Sequence, residues 1–379
     1  MLFGSWIRLK TKKLEDLQRL SESDAIEAIQ PNFKLGLLAS YEIEDALRRS
    51  AFMRTHRIPN STKPLDNPRI SIGSLYRTGP NLPLPKENGL IVAVLDTGID
   101  YTDEKFLPNL WRNPGESGLD SSGREKAENG IDDDENGFID DVIGWDFSAH
   151  DSLPFDFSMT PSQLLLRGGN PGHGTYCAAT VLGNGKNISK FAAEAPKIQI
   201  MVLRFLNEKG EGTTAAAIKA IKYAIDNGAK ILSSSWGSKG VHNKIYQNQA
   251  LQEVLKFAAS KNVLFVTAAE SGRLELGKNF EASNSLPDNT IYPEELSDLN
   301  GDADRDKAVA FAGFNIPWDG RSTASASMAR AAAAYWTAYP NKTAQEVKDA
   351  ILVTAVIAPA LNIKNTSDED SDLKVLLKK

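Results

Sequence analysis

A regular alternation of short apolar runs with helical segments is the feature that most constrains how this chain can fold. The first run, Leu90–Leu95, is wholly apolar and rich in β-branched residues, as is typical of a central parallel strand covered on both faces. Further strands are predicted at 199–204, 230–235 and 263–268, and helices at 175–182, 214–227, 248–261, 322–339 and 343–354. The pattern predicts an α/β fold: a doubly wound, mostly parallel sheet with helices on both faces.

Composition divides the chain into four parts. A charged, weakly periodic segment occupies 1–60, and the density of Pro, Asn, Gly and Ser predicts a linker at 61–85. The main domain is predicted at 86–360, and the stretch 270–320 within it is polar and is expected to be irregular. A charged tail, predicted to be frayed, follows at 361–379.

The charge and hydropathy of the chain argue against several classes of partner. The net charge is −6, whereas nucleic acids and anionic membranes are bound by clustered Lys and Arg, so neither is an expected partner. No apolar run approaches the roughly 20 residues that cross a bilayer, so no membrane span is predicted. The single Cys177 excludes an internal disulfide, and we predict that it is a small buried side chain and not a catalytic thiol.

Three polar residues lie where a parallel sheet usually places its active site. Asp96 directly follows the first strand, His173 stands between two glycines at the start of a helix, and Ser322 opens an Ala-rich helix. Ligands bind such sheets at the carboxyl ends of the strands. A serine nucleophile, an imidazole that takes its proton and a carboxylate that holds the imidazole together perform acyl transfer. Backbone N–H groups beside the serine favour a developing oxyanion.

The segments around these residues resemble those of the subtilisin-like serine proteases, the subtilases. Ile91–Asp100, Gly172–Thr175 and Gly320–Ala324 are similar to the family's aspartate, histidine and serine segments, and they follow one another in the family's order. The resemblance identifies 86–360 as a subtilase-like catalytic domain. It implies a serine endopeptidase that hydrolyses polypeptide substrates through an acyl-enzyme and requires no cofactor for catalysis.

The resemblance also implies where a substrate binds. Ser235, Trp236 and Gly237 would form one edge against which an extended peptide pairs as a β-strand. The loop at 209–213 would form the opposite edge. Backbone pairing of this kind gives affinity for any extended peptide, and side-chain pockets then adjust specificity.

The N-terminal segment carries a further resemblance. Ile26–Phe33 is similar to the end of the family's inhibitory propeptide, so we interpret 1–60 as a truncated, propeptide-like segment and treat autoprocessing as a hypothesis. Family members are usually exported, but no signal peptide is seen at Met1. Localisation and oligomeric state therefore stay open.

Ser325 and Ser327 are alternative nucleophiles in the same helix. In the family a glycine stands two positions before the nucleophile. Gly320 gives Ser322 this neighbour, whereas the alternative serines lack it. Ser322 is therefore favoured, and the two alternatives remain to be tested by the structure.

The sequence departs from the family at the segment that completes the oxyanion hole. Family members carry an asparagine after the fourth strand, and here Glu270 and Ser271 take the places of a glycine and that asparagine. Loss of this donor lowers kcat by about 10²–10³, a figure that was measured in subtilisin itself. A catalytically impaired subtilase-fold protein that binds peptides or proteins is therefore the alternative function.

A second alternative rests on Asp96-Thr97-Gly98, which matches the signature of the aspartic proteases. Those enzymes need two such aspartates that share one proton. No second Asp-Thr-Gly or Asp-Ser-Gly occurs in the chain, so this class of enzyme is not supported.

An acidic, Gly-rich insertion at 113–146 contains part of a calcium-loop pattern. Asp132, Asp134 and Asn136 fit positions that supply ligands in an EF-hand loop, but Ile143 stands where a bidentate Glu is required. The pattern leaves two alternatives open: a structural calcium site at these three residues, and a solvated acidic loop.

Overall fold

The fold is described from a computed structural model. It covers residues 3–4, 6–8, 28, 32, 34–37, 89–101, 103, 106–158, 170, 172–183, 197–238, 248–268, 290–291, 293–294, 309–310 and 320–357. The predicted linker at 61–85, the predicted tail at 361–379, and Glu270 and Ser271 lie outside the described residues.

The described helices and strands follow the predicted alternation closely. In chain order the strands are β1 (Lys34–Leu37), β2 (Leu90–Asp96), β3 (Gly144–Asp146), β4 (Ile198–Arg204), β5 (Glu211–Thr213), β6 (Ile231–Ser234), β7 (Trp236–Ser238), β8 (Leu264–Thr267), β9 (Thr290–Ile291), β10 (Pro293–Glu294) and β11 (Val309–Ala310). The α-helices are α1 (His173–Leu182), α2 (Thr214–Asp226), α3 (Gln249–Ser260), α4 (Gly320–Ala338) and α5 (Ala344–Ile357). Two short 3-10 helices lie at Leu107–Asn109 and Lys126–Glu128. Among the described helices, none is both long enough and apolar enough to span a bilayer.

The main sheet has six strands in the order β3-β4-β2-β6-β8-β9, and neighbouring strands pair in parallel. The interior strand β2 pairs with β4 on one side and with β6 on the other. Strands that follow β2 in the chain therefore lie on both sides of it, so the strand order reverses at β2. A parallel sheet usually binds its ligand at the carboxyl ends of the strands beside such a reversal.

Different helices cover the two faces of this sheet. Alternate residues of β2 point to opposite sides: Val92 and Val94 pack in the core formed with α1, α4 and α5, whereas Ala93 and Leu95 pack in the core formed with α2 and α3. These four side chains are at most 2% exposed, and complete burial of a Val or Leu contributes about 1.5–3 kcal/mol. The predicted doubly wound α/β fold is confirmed.

The helices begin where the sequence supplies caps. Thr213 Oγ1 accepts a hydrogen bond from the N–H of Ala216 at 3.3 Å at the start of α2. Asn248 Oδ1 accepts one from the N–H of Leu251 at 3.0 Å at the start of α3. Each cap satisfies an N–H group that has no partner within its helix.

Helix α4 presents small side chains to the sheet. Among the side chains of this helix that the structure describes, the fully buried alanines are Ala326, Ala329, Ala332 and Ala333. Their small volume lets the helix pack closely on β2 and β6. Its first turn, which carries Ser322, is thereby held at the carboxyl end of β2.

Several short strands correct the predicted boundaries. The stretch 270–320 is not wholly irregular, because β9, β10 and β11 lie within it, and the acidic insertion ends in β3. These strands have two or three residues, which is too short for a hydrophobic alternation to become visible in the sequence. Backbone pairing with neighbouring strands holds them in place.

A second, three-stranded sheet is centred on the N-terminal strand β1, which the sequence pattern did not predict. Its order is β5-β1-β7, and both pairings are antiparallel. Leu35 lies opposite Gly212 on one side and Ser238 on the other. The Leu35 side chain is fully buried and belongs to the core beneath α2 and α3.

Candidate active site

Asp96, His173 and Ser322 meet at the carboxyl end of β2. Asp96 ends β2, His173 begins α1, and Ser322 lies in the first turn of α4. His173 Nδ1 is 2.8 Å from Asp96 Oδ1 and 3.0 Å from Oδ2, and His173 Nε2 is 2.9 Å from Ser322 Oγ. All three residues are at most 4% exposed. The result is a continuous hydrogen-bonded chain from a carboxylate through an imidazole to a hydroxyl.

Asp96 determines which imidazole nitrogen carries the proton. An ionised carboxylate can only accept, so Nδ1–H of His173 donates to Asp96, and the lone pair of Nε2 accepts from the Ser322 hydroxyl. Burial is the largest single influence and disfavours a charge on the ring, but Asp96 and Cys177 together outweigh it and raise the pKa of His173 well above its usual 6.5. The ring is thus a stronger base than a free imidazole.

Side chains from two other segments anchor the start of α1. The first N–H groups of a helix have no partner within the helix. Here Asn170 Oδ1 accepts from the N–H of His173 at 2.9 Å, and Thr97 Oγ1 accepts from the N–H of Gly174 at 2.8 Å. Because Thr97 directly follows Asp96, the second bond ties the end of β2 to the helix that carries the imidazole.

Gly174 allows this close approach of α1 to β2. A Cβ at position 174 would lie 2.2 Å from the carbonyl oxygen of Gly98 and 3.0 Å from Thr97 Oγ1. No side chain fits at the first of these distances. The glycine after the histidine in the sequence motif is therefore required for His173 to reach Asp96.

Asp156 is a buried carboxylate that the sequence analysis missed. Its Oδ2 accepts from the N–H of Thr175 at 3.0 Å and from the Thr175 hydroxyl at 2.5 Å, and its Oδ1 accepts from the Asn170 amide at 2.6 Å. Burial raises the pKa of Asp156 to about 6, and these hydrogen bonds offset only part of the rise. No sequence motif marks this residue, since its partners come together only in the fold.

The serines of α4 occupy different environments. Ser325 is fully buried, and its hydroxyl donates to the backbone carbonyl of Ser234 at 3.1 Å. Within the described part of the chain, no hydrogen bond joins Ser325 or Ser327 to His173, whereas Ser322 makes one. The hydroxyl of Ser235, a predicted substrate-binding residue, donates to the backbone carbonyl of Ser322 at 3.2 Å.

Cys177 lies one helical turn after His173. Its Sγ is 3.7 Å from His173 Nδ1, and the residue is 1% exposed. Burial raises the pKa of this thiol, so it is held as the neutral thiol. It packs in the apolar core beside Ala178 and Val181, as predicted for a small buried side chain.

Trp236 and Gly237, the other two predicted substrate-binding residues, begin β7. Trp236 lies opposite Leu37 of β1 in the antiparallel register. The Trp236 ring is 1% exposed and packs edge-on against Phe205, with ring centroids 5.0 Å apart. The side chain therefore belongs to the core, and the backbone of Trp236 forms the edge that faces β1.

The opposite predicted edge, at 209–213, contains β5. Lys34 lies opposite Thr213 and Leu35 opposite Gly212, so β1 pairs with both edges at once. The groove between the two edges thus holds an extended segment of the chain itself, in the antiparallel arrangement expected for a bound peptide.

The predicted metal ligands Asp132, Asp134 and Asn136 are joined to one another by hydrogen bonds. Asp132 accepts from the backbone N–H of Asn136 at 3.0 Å, and the Asn136 amide donates to Asp134 Oδ2 at 3.2 Å. Asp134 also belongs to a group that sequence analysis missed, in which one oxygen each from Asp134, Glu116 and Asp141 lie within 4.8 Å of one another. Burial raises the pKa of Glu116 to about 7 and that of Asp141 to about 6.

The chain matches a known sequence family over more than half of its length. Residues 87–289 match the model of the subtilase family of peptidases. This span includes Asp96 and His173 but ends before Ser322, so the assignment of the serine rests on the motif and on the geometry described above.

Individual relatives are also peptidases. The chain is 36% identical over 128 residues to thermitase from Thermoactinomyces vulgaris, a match that covers 34% of this chain and 39% of thermitase. It is 29% identical over 182 residues to the thermophilic serine proteinase of Bacillus sp. (strain AK1), covering 48% of this chain and 33% of that protein. The matches therefore span between about a third and two fifths of these relatives.

Among solved structures, the chain is similar to a cold adapted subtilisin-like serine proteinase. The two share 18% sequence identity at a TM-score of 0.44, over 72% of this chain and 88% of that one.

Proposed function

The chain belongs to the subtilase family, and from this premise we propose that it is a serine endopeptidase whose triad is Asp96, His173 and Ser322. The observation that carries the proposal is the hydrogen-bonded chain in which His173 contacts Ser322 Oγ at 2.9 Å and Asp96 at 2.8 Å. This is the arrangement that acyl transfer by a serine requires.

The reaction would proceed in two halves. Ser322 Oγ attacks the scissile carbonyl carbon while its proton passes to His173 Nε2, and Asp96 stabilises the resulting imidazolium. The carbon–nitrogen bond then breaks, His173 gives the proton to the leaving amine, and an acyl-enzyme remains. A water molecule, deprotonated by His173, attacks the acyl carbon, and the proton returns to Ser322 as the acid leaves.

The oxyanion of the tetrahedral intermediate would lie at the N-terminal turn of α4, where backbone N–H groups are free of helical partners. The second donor of family members is replaced at Glu270 and Ser271, outside the described residues. We expect a weakened enzyme, because a serine hydroxyl is shorter than an asparagine amide and an ionised glutamate opposes the oxyanion.

Peptide substrates would bind as an extended strand between β5 and β7. The antiparallel pairing of Lys34–Leu37 with both edges supports this, because an extended peptide would use the same backbone groups. A substrate can occupy the groove only after β1 has left it. The N-terminal segment is therefore proposed to act as an internal inhibitor, in keeping with its resemblance to a propeptide.

A fluorophosphonate probe tests the assignment of the nucleophile. The probe should label the wild type and Ser325→Ala, and it should not label Ser322→Ala. Ser325→Ala is the matched control, since the two serines lie one helical turn apart and Ser325 donates to a backbone carbonyl instead of the imidazole.

Two outcomes would contradict the proposal. Labelling of neither the wild type nor Ser325→Ala would favour a subtilase-fold protein that binds peptides without cleaving them. Casein hydrolysis that survives Ser322→Ala and is lost in Ser325→Ala would show that the nucleophile is Ser325.

A further inference from the structure

Asp156 is a buried carboxylate that takes no part in the proposed triad. The residue is 2% exposed, and its hydrogen-bond donors are neutral groups of Thr97, Asn170 and Thr175. No Lys or Arg in the described part of the chain forms an ion pair with it. Burial of a carboxylate without a cation costs free energy, so the position needs an explanation.

The start of α1 depends on side chains that lie outside its own cap. The N-cap residue is Gly172, which has no side chain to accept a hydrogen bond, and the first N–H groups of a helix have no partner within it. Three acceptors bind the first three N–H groups of α1: Asn170 Oδ1 for His173 at 2.9 Å, Thr97 Oγ1 for Gly174 at 2.8 Å, and Asp156 Oδ2 for Thr175 at 3.0 Å.

Asp156 also orients the other two acceptors. The Asn170 amide donates to Asp156 Oδ1 at 2.6 Å, which turns the carbonyl end of the same side chain toward the helix. The Thr97 hydroxyl has a single proton and bonds to Asp156, so its oxygen is left to accept from the helix. The whole cap of α1 is therefore organised around one carboxylate that can only accept.

This cap connects the two segments that supply the buried part of the triad. Thr97 directly follows Asp96, and α1 begins with His173. The Thr175 hydroxyl donates to Asp156 at 2.5 Å and accepts from the N–H of Asp100 at 2.9 Å, which adds a second connection between α1 and the chain after β2. A displacement of about 1 Å between reacting groups can lower a rate by about 10², so the relative position of these segments matters for catalysis.

From these contacts we infer that Asp156 is a positioning residue for the peptidase reaction. It makes no hydrogen bond to a triad side chain within the described part of the chain, and it holds the His173 imidazole against Asp96 through the cap of α1. The inference rests on the proposed triad. The substrate groove is formed by β5 and β7, which contain none of the cap residues, so loss of the cap should lower kcat and leave KM unchanged.

Two substitutions at Thr175 test the cap without changing a charge. Thr175→Val removes the hydroxyl and keeps the shape of the side chain, and kcat should fall by about tenfold, the effect of one lost buried hydrogen bond. Thr175→Ser keeps the hydroxyl and should restore kcat. Steady-state rates on a peptide substrate give kcat and KM separately. If Asp156→Asn does not fold, this pair of variants still makes the comparison.

A double variant and a control separate positioning from general stability. Thr175→Val combined with Asp156→Asn should lower kcat little more than the larger single loss, because both remove the same hydrogen bond. Val254→Ala is the control, since Val254 is fully buried in α3, on the other face of the sheet from α1. It should lower the melting temperature and leave kcat unchanged.

Proton NMR of the His173 Nδ1–H signal reports the geometry without turnover. The spectra are recorded on full-length protein carrying Ser322→Ala, which prevents self-cleavage. This signal depends on the hydrogen bond to Asp96, so it should shift in Thr175→Val and Asp156→Asn, and it should stay in place in Thr175→Ser and Val254→Ala. The measurement holds even for a protein that cleaves no peptide, so failure of this inference is distinct from failure of the proposed function.

The inference is overturned if Thr175→Val and Asp156→Asn fold and keep both kcat and the Nδ1–H signal. It is also overturned if Val254→Ala, at an equal melting temperature, loses as much kcat as Thr175→Val, because general destabilisation would then explain the loss. A rise in KM with unchanged kcat would assign the cap to substrate binding and would contradict a positioning role.

Discussion

Asp96 and Glu116 are both buried carboxylates, 1% and 0% exposed, but their surroundings are opposite. Asp96 accepts from His173 Nδ1 at 2.8 Å and from the N–H of Thr97 at 2.7 Å. Glu116 faces two other acids, and one of its oxygens has no partner among the described residues. An uncompensated buried charge costs several kcal/mol. The chain therefore supplies what Asp96 needs, whereas Glu116 needs a cation from outside or a proton.

The contrast separates a site that is complete within the fold from one that is not. In the triad, the carboxylate is hydrogen-bonded to the imidazole, and the imidazole is hydrogen-bonded to the hydroxyl. Around Glu116, neutral donors orient the acids and leave their charge in place. Removing the carboxylate charge should thus be harmful at Asp96 and harmless at Glu116.

Replacing His173 by Ala should lower kcat by about 10⁶, as large a loss as that caused by Ser322→Ala, because triad members act as a unit. The size of this effect is taken from measurements on subtilisin. The double variant should lose no more than either single variant. Steady-state rates on a peptide substrate measure it, and an additive loss in the double variant would mean that the two side chains act separately.

Asp96→Asn should lower kcat by about 10⁴, because an amide at this position favours the wrong tautomer of His173. It should also change the pH dependence. In the wild type the pKa of His173 is raised well above 6.5, so kcat/KM should rise with pH as the ring loses its proton above that value. Without the negative charge of Asp96 the pKa falls, and this limb should move to lower pH.

The pH profile of kcat/KM distinguishes an electrostatic role of Asp96 from a purely structural one. Glu135→Gln is the control, because it removes one carboxylate charge at an exposed position and should leave the profile unchanged. A profile whose acid limb stays in place in Asp96→Asn would contradict the pairing of Asp96 with His173.

A substrate must also reach the triad, and β1 lies in the groove beside it. Leu35→Lys should loosen β1, because full burial of a Leu side chain contributes about 1.5–3 kcal/mol. The initial rate on a short peptide should rise by about 10–100-fold. Ile7→Lys is the matched control, since Ile7 is 64% exposed. An unchanged rate in Leu35→Lys would mean that β1 does not limit access.

The triad can be predicted from the sequence because each of its residues lies in a short motif that the local structure requires. Asp96 ends a strand, and Gly174 follows the histidine because no Cβ fits against Gly98. The long strands and helices are predictable in the same way, since their periodicity extends over many residues.

The groups that were missed depend on contacts between distant segments. Asp156 lies in a loop and finds Thr175 and Asn170 only when the chain has folded. Glu116 lies at the far end of the acidic insertion from Asp141, and spacing alone favoured the contiguous set that begins at Asp132. A local pattern cannot report on such pairs, nor on the backbone pairing that holds β1.

Asp156 is a third kind of buried carboxylate, because neutral donors bond to both of its oxygens. We expect its replacement to have the smallest effect on catalysis. Asp156→Asn places an N–H₂ group where only donors point, so α1 should shift and kcat should fall by about tenfold, the effect of one lost buried hydrogen bond. Asp156→Glu should also have a lowered kcat, since the longer side chain does not fit the same three donors.

The pH dependence of stability separates this role from simple packing. Burial raises the pKa of Asp156 to about 6 in the folded protein, above the value of about 3.9 expected in the unfolded chain. The folded state therefore holds this proton more tightly, and the contribution of Asp156 to stability falls as the pH rises from about 4 to 6, by roughly 3 kcal/mol in total. Asparagine does not titrate, so the stability advantage of the wild type over Asp156→Asn should be largest near pH 4 and smallest above pH 6. Urea unfolding of both proteins at each pH measures the difference. An advantage that grows with pH would mean that Asp156 is stabilised as the anion and would contradict the prediction.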